Sequence, residues 1–315
     1  MIQYSYKQKI IFMKKTIKSV QSVNLDKITS KQIVESTSML SITEKSQLGN
    51  DGYPDRTTWC QIRLFFEERS MASNPLLSKE MTAYTPAETL QLMAKKSIKD
   101  WLDNVKNLKI PDSADVVIFV PCAKTKPWKD APRGIYKSYN KIINENSDNV
   151  YFVTISEPLG VVPQNNWNDF PQYDNPGLFK DVVQRSGGLF TKDWQEHFGQ
   201  RYKLPWDQVA YDKAIDILAD KIKIFVNNNQ KQGRQFISFV GDEKTIGTHQ
   251  DMINRAGVIP KENQFFKRAE AREEPYEYIK EKLLKILMKK DIFSFIKNKS
   301  DELQPSKTVK LKKDH

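Results

Sequence analysis

Cysteine is scarce: Cys60 and Cys122 are the only two in 315 residues, and they lie far apart in unlike surroundings. A disulfide framework is therefore not expected, and a reducing compartment fits better. Histidine is equally thin, at three. Two cysteines and three scattered histidines offer no metal-ligand spacing, so neither a metal site nor a cofactor is expected. No apolar run reaches the ~18 residues of a membrane span. The opening MIQYSYKQKIIFMKK also has too short an apolar stretch for a secretory signal. The expected location is cytoplasmic, in the host if the source is viral, with no membrane partner. Phosphate-binding P-loops, Gly-x-Gly-x-x-Gly and internal repeats are missing too. Met13, followed by Lys14 and Lys15, offers a second start.

What is present is enough apolar material for a core, at 39% hydrophobic and 11% aromatic, and a net charge of +11 from 50 Lys and Arg against 39 Asp and Glu. That balance favours a polyanionic partner such as nucleic acid. A Lys-rich composition from an AT-biased genome explains it equally well. Residues 1–55 are polar and read as a partly disordered segment with short helices at most. Residues 56–111 read as a helical region: Trp59, Ile62 and Phe66 share one helical face. Thr85-Pro86 with Glu88 marks a helix start, and that helix is expected to run to about Leu108. A basic amphipathic helix and tail are expected over 275–315, either solvated or in contact with phosphates.

From Ala114 the pattern changes. Val116 to Val120, Val150 to Ile155 and Phe236 to Val240 are continuous apolar runs that suit buried parallel strands. Helical patterns lie between them, at Ile135 to Asn144 and Tyr211 to Asn227. This alternation predicts an α/β core over 112–274, doubly wound about a mostly parallel sheet. Such sheets bind ligands at the carboxyl ends of their strands, which directs attention to three loops.

The first loop opens with Cys122 and carries Lys124, Lys126 and Trp128. Lysines beside a strand-end thiol can stabilise its thiolate for nucleophilic use. A buried structural cysteine is the plain alternative. The lysines suit a phosphate equally, and Trp128 suits stacking on a base. The second loop, Ser156 to Gln164, contains Glu157, Pro158, Leu159, Gly160 and Val161 and leads on to Tyr173 and Asp174. It is apolar and rigid, as a pocket for a planar heterocycle would be, with Glu157 and Asp174 as hydrogen-bond acceptors or bases. Alternatively, Leu159 and Val161 plug a sheet edge and the carboxylates are solvated. The third loop begins at Gly241 and Asp242 and reaches His249, where a single histidine near a helix start carries little weight.

Taken together, Pro121-Cys122 with Lys126-Pro127, then Pro158-Leu159-Gly160-Val161-Val162-Pro163, then Pro171 with Tyr173-Asp174 resemble the catalytic core of archaeosine synthase in order and spacing. The resemblance covers roughly 114–180. It implies a uracil-DNA-glycosylase-like three-layer α/β sandwich around a short, mostly parallel sheet. It also implies amine or ammonia addition to a 7-cyano-7-deazaguanine already within nucleic acid, through a Cys122 thioimide. Lys124, Lys126, Glu157 and Asp174 would serve as catalytic groups, and Trp128, Pro158, Leu159, Gly160, Val161, Tyr173, Gly241 and Asp242 would line the base site. Viral relatives linked to 7-deazaguanines in DNA, and the lack of a counterpart for the archaeal enzymes' RNA-binding domain, point to DNA ahead of tRNA as partner. Here Trp128 stands where the family carries Tyr, and the following stretch to Tyr139 has no histidine. Two further readings remain: glycosidic cleavage or base exchange with Asp242 or Glu157 activating water, and non-catalytic nucleic-acid binding.

Overall fold

The computed structural model describes residues 35, 37–123, 126, 128, 135–145, 149–179, 197–199, 202–240, 247–265, 277–283 and 285. The expectations for residues 1–34, for Lys124, Gly241 and Asp242, and for the basic tail beyond 285 lie outside them.

Four strands form one mixed sheet in the order β3-β2-β1-β4, where β1 is Val116–Pro121, β2 Val150–Ser156, β3 Gly160–Pro163 and β4 Gln235–Ser238. β2 and β4 both run parallel to β1, whereas β3 is antiparallel to β2. The apolar runs become strands because β-branched and aromatic side chains fit a sheet covered on both sides. Val116 to Val120 are each 0% exposed, and burial of each such side chain is worth roughly 1.5–3 kcal/mol.

The helices include α1 Ile42–Gln47, α2 Arg56–Ser73, α3 Pro86–Met93, α4 Lys96–Asn104, α5 Ile135–Glu145, α6 Gln208–Asn228 and α7 Thr248–Ala256. Side chains alternate along a strand, so Phe119 and Ile118 face opposite ways. Phe119 meets Phe225 of α6, while Phe152, the β2 neighbour of Ile118, meets Tyr139 of α5. α5 and α6 therefore cover opposite faces of the sheet.

The expected helix from Thr85 to Leu108 is broken. Thr85 caps α3 through its side chain as the sequence suggests, but Lys95 is extended and α4 starts afresh after it. Ile98, Leu102 and Val105 are thereby turned into the same core as the sheet, which runs across the expected boundary near residue 111. A second apolar cluster joins Trp59, Ile62, Phe66 and Tyr84 to Leu204 and Trp206.

A buried ionic network ties these helices together. Arg63 donates to Glu67 at 3.0 Å and to Glu88, and Glu88 also accepts from the Tyr84 backbone at 2.8 Å. Burial pushes the Glu88 carboxyl up against the pull of Arg63. Both partners are 3% exposed or less, so loss of one strands the other in a low dielectric. Arg63→Ala is expected to cost about 3–5 kcal/mol in urea unfolding, and a loss below ~1 kcal/mol would show the network to be idle.

Candidate active site

Parallel pairing sets the site. β1 and β2 run in register, Pro121 opposite Ile155, and the Cys122 backbone N–H donates to the Ile155 carbonyl at 3.0 Å to extend the ladder by one residue. Cys122 and Glu157 therefore leave the same sheet edge on adjacent strands. The third contributor comes from the far side of β1. β4 also ends at this edge, and α7 then begins at Thr248, with His249 in its first turn. Thr248 Oγ1 donates to the Leu178 carbonyl at 2.7 Å, and the Phe179 ring lies edge-on to the imidazole at 5.4 Å between centroids.

One side chain from each of the three strand ends thus converges. Cys122 Sγ donates to Glu157 Oε2 at 3.9 Å, and His249 Nε2 lies 3.3 Å from that same oxygen. The three donor atoms lie within 4.8 Å of one another. Glu157 is 1% exposed and His249 7%, whereas Cys122 is half-buried. Burial alone would drive His249 toward the neutral form, but the Glu157 carboxylate and the Cys122 sulfur outweigh it and push the imidazole up to about 10. The histidine is cationic at neutral pH. A cation in contact with a thiol is the setting in which thiolate nucleophiles operate.

The other expected site residues surround this group or lie apart from it. Lys126 is buried, with Nζ 4.4 Å above the centre of the Tyr173 ring. The Tyr173 hydroxyl pairs with Ser156 Oγ, and burial holds its phenol well above the ordinary range. Asp174 is not brought to the thiol. Its carboxylate accepts from Ser70 Oγ of α2, and its backbone bonds Met81 and Ala83. Trp128, expected as a platform for a base, is 0% exposed, stacked on Phe170 at 4.5 Å and on Tyr136 at 5.7 Å, so protein rings take that role.

The apolar string after Glu157 also differs from a pocket loop. Pro158 and Leu159 make the turn and Gly160 to Pro163 form the edge strand β3. Leu159 and Val161 are 0% exposed, and the Val161 carbonyl accepts from Trp101 Nε1 at 3.2 Å. Gly160 has φ +72°, and a Cβ there would press to 3.2 Å on Lys221 of α6. The apolar character of this string is accounted for by burial beneath α4 and α6. The expectation that Leu159 and Val161 plug the sheet edge is the one that describes their position.

His249 is the member of this group to which the sequence gives least weight. Its signal was positional: a histidine opening the helix after a third strand that ends at the same edge. Residues 98–181 match the model of a family described as a domain of unknown function, DUF5591. That stretch carries Cys122, Lys126, Glu157, Tyr173 and Asp174 but not His249, and no activity comes with it. No curated protein and no solved structure matches the chain.

Proposed function

We propose that the chain is a nucleic-acid base-modifying enzyme that acts through Cys122 on an electrophilic carbon, best fitted by the nitrile of a 7-cyano-7-deazaguanine in DNA or, second, in tRNA. The carrying observation is the contact group of Cys122, Glu157 and His249 at the carboxyl edge of the sheet. A sheet covered by helices on both faces, with this group at the strand ends, is also what a uracil-DNA-glycosylase-like core would need.

In this reading the Cys122 thiolate attacks the nitrile carbon, forming the C–S bond while one C≡N π pair moves to nitrogen. His249, held as the imidazolium, gives that nitrogen a proton, and a thioimide results. A primary amine or ammonia then adds to the same carbon. Collapse breaks the C–S bond and releases the thiolate, while the proton lost by the amine returns to His249, leaving a neutral amidine and restoring the imidazolium. Glu157 orients the imidazole throughout and favours its charged form before attack and after release. Lys126 adds positive charge nearby, and the +11 net charge supplies attraction for the polyanion. Asp174 acts as a support for the Tyr173 segment from the α2 side.

Three outcomes test this. Iodoacetamide at neutral pH should alkylate Cys122 and spare Cys60, which is 1% exposed. His249→Gln should slow that alkylation about tenfold, read by peptide mass spectrometry. Cys122→Ser should abolish base modification in nucleoside mass spectrometry while leaving nucleic-acid affinity within about twofold. Normal turnover by that variant refutes the mechanism, and an abasic product would select glycosidic chemistry instead. The pH dependence has a definite sign. His249 is raised above its ordinary 6.5, so the imidazolium persists through neutrality and is lost as pH rises through about 10. Product formation should fall on that alkaline limb in wild type, and a fall centred near 6.5 would contradict the assigned role.

A further inference from the structure

The same three side chains have donor chemistry beyond nucleophilic attack. We propose that Cys122 Sγ, Glu157 Oε2 and His249 Nε2 form a three-ligand site for a thiophilic divalent cation of the Zn2+ class, with the fourth coordination position open. Counting cysteines and histidines along the chain did not suggest it, because the third donor is a carboxylate and the three come from separate strand ends.

Tetrahedral zinc with bonds of about 2.0–2.3 Å holds its donors roughly 3.3–3.6 Å apart. The carboxylate oxygen is 3.3 Å from the imidazole nitrogen and 3.9 Å from the sulfur, and all three atoms fall within 4.8 Å. Small side-chain rotations suffice to close the remaining gap. A second, independent observation points into the same space. His249 Nε2 and Glu157 Oε1 are buried without an aligned hydrogen-bond partner among the described residues. A bound cation would give the imidazole nitrogen, which has only the 3.3 Å ion-pair contact, a well-aligned partner and would draw on the carboxylate.

Charge and ligand type select the ion. A thiolate and a carboxylate against a doubly charged cation sum to zero, which suits a site this buried, and the imidazole, releasing its proton to solvent as the ion binds, completes the set as a neutral ligand. One sulfur and one nitrogen among three donors exclude a Mg2+ or Ca2+ preference, since those ions take six or more oxygens. The nearby hydroxyls do not compete. Tyr173 is engaged with Ser156, and Tyr136 with Thr154 at 2.9 Å and the Pro121 carbonyl at 3.0 Å. Three protein ligands and one open position are the pattern of reactive rather than structural zinc. Because the ion engages the sulfur that would attack an electrophile, the metal-bound and free-thiol forms are alternative states of one site. Metal binding by these three side chains does not depend on the base-modification reading.

The experiment uses the full chain, stripped with a chelator and dialysed against Zn2+, with Co2+ as the spectroscopic probe. One ion per chain is expected, with a sulfur-to-cobalt charge-transfer band and intense tetrahedral ligand-field absorption. Cys122→Ser should lose the band and weaken binding about 100-fold or more, its folding checked by circular dichroism. In wild type, Zn2+ should protect Cys122 from iodoacetamide, which decides the matter even if a variant fails to fold. Absence of stoichiometric binding, or binding without the band and without protection, overturns the proposal. Nucleoside mass spectrometry on metal-free protein tests the enzymatic reading separately, so failure of one is distinguishable from failure of the other.

Discussion

In-register parallel pairing of β1 with its two neighbours is the constraint from which the site follows. Parallel strands finish at the same edge, and their ladder fixes the height at which each chain leaves the sheet. Pro121 opposite Ile155 puts Cys122 and Glu157 side by side, and β4, ending beside Phe119, delivers α7 and His249 to the same edge. Three residues separated by 35 and 92 positions in sequence become contact partners without any loop having to reach for another. A slip of one residue between β1 and β2 would turn every strand side chain to the opposite face.

The second constraint is electrostatic. Glu157 Oε2 stands between a thiol and an imidazole and touches both. At 1% exposure its charge would be costly to keep alone. The imidazolium offsets that cost, and in return the carboxylate holds the imidazole charged against a burial that opposes it. The contact makes the pair a unit. The sulfur contacts the carboxylate oxygen and lies within 4.8 Å of the imidazole nitrogen, and both the proposed nucleophilic step and cation binding begin there.

The mixed α/β character and the chain's division into strands and helices were legible because period and composition are local properties. The three apolar runs became β1, β2 and β4, and the periodic segments became α5 and α6, within a few residues. The break at Lys95 was not legible, since nothing nearby resembles a helix stop and packing of Ile98 and Leu102 into the core decides it. Nor was β3. Pro-Leu-Gly-Val-Val-Pro reads as a loop because of its prolines, yet prolines are tolerated at strand ends and sheet edges. Cys122 and Glu157 were legible as strand-end residues. His249 was not, because its meaning depends on which strand lies beside which, a matter of topology that one histidine does not encode. Trp128 and Asp174 were chosen for their chemistry, and burial put each to another use.

The helical region before the sheet supplies no reacting group, yet it holds the site in place through one close approach. Thr85, the cap of α3, lies so near Gly177 that an added Cβ would sit 2.5 Å from its carbonyl oxygen. Only glycine allows the 175–179 segment to lie against α3, and Asn175 fastens it there by accepting from Thr89 Oγ1 at 2.7 Å and from the Gly177 N–H at 3.1 Å. The next residue, Leu178, offers its carbonyl to Thr248, and Phe179 lies edge-on to His249. A continuous line of contacts therefore runs from α3 to the imidazole. The Arg63–Glu88 pair anchors the first turn of that same helix. α3 therefore bears on His249 through these contacts, whereas Cys122 and Glu157 are set by the sheet itself. Of the three groups, the histidine is thus the one whose position depends on parts of the chain outside the stretch that matches a family.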